Sequence, residues 1–205
     1  MMEVATGMSM RTASGAPYRF DAGALCLELL TTGGPGPYSR YESLHGPEDV
    51  RQWVAECRLD PRPEITVGPE DPAVLRRLRD ALWRLASARA GAVDPPIGPP
   101  TDGDRVVLNE AAAGPPLVTL LGPGNERVAA PGADVTRLMT EIARDAVDLL
   151  GGPRGDRLRE CAGERCRLLY ADLSRPGRRR WCSMGNCGNR HKVRAHRARG
   201  TAGGG

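Results

Sequence analysis

The sequence predicts an α+β protein: a mostly helical N-terminal domain with one small β-hairpin, followed by a compact C-terminal module built on four cysteines. Three observations predict it. Long segments repeat apolar residues at helical spacing, two short apolar runs flank a "GPGN" turn, and the last quarter of the chain carries two equally spaced cysteine pairs.

Residues 1–17 show no apolar period and are expected to be a disordered tail. A first helix is expected over 22–30, with Leu25, Leu29 and Leu30 on one face and Cys26 and Leu27 beside it; "TTGGPGPYSR" then forces a loop. A second fits 47–58, with Glu48 and Asp49 in its first turn and Val50, Trp53, Val54 and Cys57 at helical spacing. The strongest helix is 71–90. Asp71 is its expected cap, Pro72 suits its start, and Val74, Leu75, Leu78, Leu82, Leu85 and Ala86 form its apolar stripe. Arg76, Arg77 and Arg84 fall outside that stripe, on a solvated face.

After the "GAVDPPIGPP" loop, "TDGDRVVLNEAAAG" fits helix or strand, and a short helix ending before Gly114 is the preferred choice. Residues 117–121 and 126–130 read as the two strands of the hairpin. Residues 133–150 are amphipathic, with Val135, Leu138, Met139, Ile142, Val147, Leu149 and Leu150 apolar, and "GGPRG" then reads as a hinge. His45 reads as a loop residue, and Cys26 and Cys57 as small buried apolar groups. Three histidines leave no basis for a Ser/His/Asp or Cys/His catalytic set, and no phosphate loop is present.

Charge divides the chain more sharply than composition does. Residues 154–200 hold 14 Arg/Lys against four acids, a net +10, whereas the remaining 15 basic and 21 acidic residues leave −6. An acidic body carrying a basic module suits a polyanionic partner; a solvated basic tail is the alternative. Of the 29 basic residues only Lys192 is a lysine, a bias that fits a GC-rich genome. No stretch approaches the ~18 consecutive apolar residues of a membrane span. The N-terminal residues also lack the layout of a signal peptide. A cytoplasmic, thiol-reducing setting is therefore expected, in which clustered cysteines read as metal ligands.

Cys161, Cys166, Cys182 and Cys187 are spaced C-x4-C-x15-C-x4-C. Each pair can supply one edge of the tetrahedron that Zn2+ requires, with Gly163 and Gly185 easing the two bends. His191 is the alternative ligand. Between the pairs, a strand through Leu168 and Leu169, a turn at Pro176 and Gly177, and a return strand through Arg180 and Trp181 are expected. A helix over 188–199 follows the last cysteine. Knuckle, hairpin and ligand-bearing helix describe a treble-clef-like zinc finger. On the terminal helix Arg190, Arg194 and Arg197 share one face, and Lys192 and Arg199 another. With Arg178, Arg179 and Arg180 they are the candidate nucleic-acid contacts, the latter three to phosphate. Trp181 is expected in the small core of the finger, with base stacking as the minor alternative.

The stretch "CxxxxC…DxSRxxRRRWCSMxxCGNRxKVRxHRxR" resembles the CGNR zinc finger, named for the tetrapeptide at 187–190, and is dense over 159–199. In that family the finger follows a helical ABATE domain, and the proteins are described as stress-induced transcription regulators. The body resembles that domain in "FDAGALCLELLTT" at 20–32, in Trp53 and in the helix ending near Leu150, so the likeness spans residues 18–200. Thr31 stands where the family has Asn. The resemblance implies an ABATE-like domain over 18–152, a finger over 153–200 and a flexible tail over 201–205. It further implies DNA as partner, with the helical domain sensing a small molecule or forming a homodimer. The alternative is a zinc-bearing module for RNA or protein. Catalysis is not expected, because four thiolates leave zinc no open position for water.

Overall fold

The computed structural model describes residues 7–12, 14–92, 95–164 and 166–194. Its order is β1 (Met8–Arg11), β2 (Pro17–Phe20), α1 (Leu25–Leu29), α2 (Pro47–Glu56), β3 (Ile65–Thr66), α3 (Asp71–Arg89), α4 (Asp102–Ala112), β4 (Thr119–Leu121), β5 (Arg127–Ala129), β6 (Ala133–Asp134), α5 (Val135–Gly151), β7 (Leu158–Glu160) and β8 (Leu169–Ala171). A π-helical turn, Met184–Gly188, then runs into helical residues 189–194.

Helices α3, α4 and α5 pack against one another, and α1 lies on α5. Leu75, Leu78 and Leu82 of α3 meet Leu138, Ile142 and Leu149 of α5 in a core from which water is excluded. Burying each such side chain is worth about 1.5–3 kcal/mol before entropy is counted. The ambiguous "TDGDRVVLNEAAAG" is helix because Thr101 caps it. The Thr101 hydroxyl accepts from the Asp104 N–H, and the Asp104 carboxylate returns the bond to the Thr101 N–H at 2.8 Å. Asp134 caps α5 in the same manner, accepting from Arg137 N at 2.9 Å. Strands β4 and β5 form the hairpin about the "GPGN" turn.

Several expectations about the body need correction. Asp71 does not cap α3; its carboxylate accepts the Gly68 N–H at 2.7 Å and shapes the preceding loop. Val74 of α3 and Val147 of α5 are exposed, and Arg79 and Trp83 of α3 are buried. The buried face of α3 is wider than its apolar stripe because the Gly-Pro loop folds over it. Trp83 Nε1 donates to the Gly33 carbonyl at 2.7 Å, and Tyr38 stacks on the indole. Arg79, 1% exposed, is paired with Glu42 at 2.7 Å and Asp80 at 3.0 Å. Arg84 is not a free surface charge either: it pairs with the buried Asp104.

The largest difference lies at the N-terminus. Residues 1–17, expected to be disordered, include β1, which pairs antiparallel with β2 in the register Met8↔Phe20 and Met10↔Tyr18. Met8 and Phe20 are buried, and Met10 and Tyr18 pack against the same core. Nor is 151–155 a hinge. Residues Pro153–Arg157 form a tight 3-10 turn, Gly155 is buried, and Arg89 reaches across to Asp156 at 2.6 Å. One apolar core runs from the helices into the cysteine module.

Candidate metal centre

Strands β7 and β8 pair antiparallel, Leu158↔Ala171 and Glu160↔Leu169, and the loop joining them carries the first two cysteines. This corrects the expected hairpin: the partner of the Leu169 strand is Leu158–Glu160, not the segment at Arg180 and Trp181. The latter is tied backbone to backbone to the loop of the hairpin by Ala162 N donating to the Arg180 carbonyl at 2.9 Å. Cys161 N bonds to the Leu168 carbonyl and Cys166 N to the Gly163 carbonyl, at 2.9 and 2.8 Å, which closes the knuckle.

The second pair enters through a different device. Cys182 N–H donates to Cys161 Sγ at 3.2 Å, and Ser183 caps the following turn by accepting from Gly185 N at 3.2 Å. Cys187 therefore sits in the first turn of the terminal helix, which begins at Met184 rather than at Gly188. The four Sγ atoms lie within 4.8 Å of one another, with Cys166 and Cys182 at 3.7 Å. Four sulfurs at ~2.3 Å from a zinc ion stand about 3.8 Å apart, so the pocket has the right dimension. Gly163 is needed by this packing: a Cβ there would lie 2.9 Å from Cys187 Sγ. Among the described residues, the side chains grouped closely enough to share a metal ion are these four thiols, and His191 is not one of them.

The electrostatics make the same demand. Cys161, Cys182 and Cys187 are buried, and Cys166 is half-buried. Hydrogen bonds from Cys166 and Cys182 pull the Cys161 thiol far below its ordinary value. The same bonds to Cys161 push Cys182 up, and burial followed by the charge on Cys161 pushes up Cys187. One thiolate forms readily and opposes the ionisation of its neighbours; four can coexist only around a cation. A zinc ion suits that sulfur set, and the chain binds zinc through this C-terminal module.

The "DxSRxxRRRWC" stretch acts as the frame of the site. Asp172 is fully buried; its carboxylate accepts from Ser174 Oγ at 2.6 Å, Ser174 N at 3.0 Å and Arg179 N at 2.8 Å. Burial raises its pKa, but these bonds outweigh burial and hold the carboxyl below the ordinary range. Tyr170 Oη donates to the Arg179 carbonyl at 2.8 Å.

Arg179 itself is the main correction among the basic residues. Its guanidinium donates to the carbonyls of Trp181 and Asp21, both at 2.9 Å, and to that of Cys182, and lies 4.1 Å over the Tyr170 ring. With its donors engaged inside the fold, it is a structural strut and not a phosphate contact. Arg178 and Arg180 are exposed, and Arg180 lies 5.3 Å over the Trp181 ring. Arg190 and Lys192 are exposed; Arg194 is exposed and pairs with Glu164. Arg197 and Arg199 fall outside the described residues. Trp181 is half-buried against the core, its ring 4.8 Å from that of His191. The Thr31 hydroxyl donates to the Glu28 carbonyl at 2.7 Å.

Sequence reasoning missed the contribution of residues 8–20 to this neighbourhood. The Tyr18 hydroxyl is pushed up to about 12, first by burial and then by the charge of Cys182, and its side chain packs against the core to which Cys161, Cys182 and Cys187 belong. The alternation "MSMR" and "YRF" about "TASGAP" was the available signal.

Residues 23–153 match the ABATE family, described as "Putative stress-induced transcription regulator", and residues 157–200 match the CGNR zinc finger. Neither is an enzyme family. A search of curated proteins found no match. No helix among the described residues is long and apolar enough to cross a membrane.

Proposed function

Since the chain belongs to the ABATE family and ends in a CGNR zinc finger, we propose that it is a zinc-dependent DNA-binding transcription regulator. The four cysteines hold the metal, Cys161 and Cys166 from the knuckle and Cys182 and Cys187 from the helix entrance. All four coordination positions are then sulfur, so the ion organises structure and offers water no site. The finger follows a treble-clef plan in which the last helix carries the basic face.

The observation that carries this reading is that Arg178, Arg180, Arg190, Lys192 and Arg194, which flank the second cysteine pair in sequence, are all exposed, in a segment of net +10. Guanidinium groups held on a fixed scaffold suit phosphate oxygens and guanine edges. The acidic helical body would then serve as the sensing or dimerising part of the regulator. Titration of the zinc-loaded protein with duplex DNA across a range of salt tests the proposal. Association should weaken steeply as salt rises, because bound arginines release counterions from phosphate. Salt-insensitive binding, or a preference for RNA over duplex, would replace this reading with an RNA- or protein-binding module.

A further inference from the structure

The family matches begin at residue 23 and leave residues 7–22 unassigned. In the structure several of these residues touch the strand and the arginine that frame the metal module. Ala22 accepts the Ala171 N–H at 2.8 Å, extending β8 by one bond beyond its hairpin. The Asp21 carbonyl takes one N–H of Arg179, whose guanidinium stands 5.9 Å from the fully buried Phe20 ring. The same guanidinium holds the carbonyl of Cys182, one of the four thiol residues. Gly23, at φ +81°, brings the chain so near that a Cβ would lie 2.6 Å from the Ala171 carbonyl oxygen. Further along, Thr12, Ser14 and Ala16 form one wall of a groove whose other wall is Gly185, Asn186 and Asn189 of the terminal helix.

From these contacts we infer that the metal centre is assembled from both ends of the chain, with the β1–β2 hairpin acting as an inner cover that keeps the zinc in place. The hairpin contributes no sulfur; it positions the segment that does. Its inward face, with Met8 and Phe20 buried and Met10 and Tyr18 half-buried, packs on the same core as the cysteines, and Asp21 fixes the arginine that fixes Cys182. Zinc leaves a thiolate site when water or a competing chelator reaches a sulfur and the loop opens. A cover over two elements of the site therefore acts on the rate of release. Outer partners of metal ligands commonly alter affinity by about 10–100-fold when removed. This inference concerns metal retention and stands apart from what the basic face binds.

Zinc transfer from the full-length protein to a chromogenic chelator tests it. Tyr18→Ala removes a half-buried hairpin side chain packed against the core that contains the cysteines and should speed release by ~10-fold, with the far-ultraviolet helical signal retained. Leu108→Ala, a cavity in α4 away from the metal, is the companion variant: it should lower thermal stability and leave release at the wild-type rate. Release from Tyr18→Ala within about twofold of wild type would overturn the inference. So would an equal acceleration by Leu108→Ala, since release would then follow general loosening of the fold.

Discussion

The helical body and the cysteine module neutralise their buried charges in opposite ways. In the body the counter-charge is covalently part of the chain: Arg79 meets Glu42 and Asp80, Arg58 meets Glu28, and Arg84 meets Asp104. In the module four thiols crowd within 4.8 Å, and the nearby basic groups point elsewhere, Arg179 to carbonyls and Arg180 to Trp181. The body can therefore satisfy itself, whereas the module must import a cation. This difference ranks the ways in which the protein can be taken apart.

Metal removal should have the largest effect. Structural zinc sites contribute on the order of 10 kcal/mol to the folding of their modules. Cys187→Ser, or prolonged chelation, is expected to release the zinc and abolish module structure while α3 to α5 keep their helical signal. Metal analysis and circular dichroism on one sample check both halves. Unchanged metal content in the variant would contradict the assignment of Cys187. Arg179→Ala comes next. It deletes charge-assisted bonds to three carbonyls and a stack on Tyr170, a loss of about 3 kcal/mol. Arg179→Lys should recover little of it, since one ammonium cannot reach three acceptors in that fork.

The body breaks more gently. Bonds from Arg84, then Thr101, overcome burial and hold the Asp104 carboxyl down at about 2. Because its folded pKa is depressed, its contribution is complete above about pH 4 and is lost as pH falls toward 2. Asp104→Asn should cost ~2 kcal/mol at neutral pH and remove that part of the acid unfolding limb. Smallest in stability terms is Arg190→Ala, an exposed change expected to leave the melting temperature alone. If the basic face meets DNA, it should lower the slope of log K against log salt by about 1.

What was legible in the sequence follows the same division. The cysteine spacing is a local code, so the metal group could be read directly, and long periods such as 71–90 gave the helices. Side-chain roles that depend on distant partners could not be read. Arg179 looked like its neighbours Arg178 and Arg180, yet its acceptor Asp21 lies 158 residues away. Arg84 read as a solvated surface cation, yet it pairs with Asp104 of the next helix. The hairpin at 8–20 was hidden by brevity: its two strands of four residues each carry only two inward side chains. Such a period is too short to stand out from a small, polar background.

Two regions of one continuous fold are thus held by different means, and on the inference above the N-terminal hairpin belongs with the metal. Amide hydrogen exchange on the full-length protein, before and after zinc is withdrawn, tests it most directly. Protection should fall in 157–194 and in 8–22 together, while α3 and α5 exchange as before. Uniform loss throughout the chain, or a hairpin that stays protected without zinc, would contradict it.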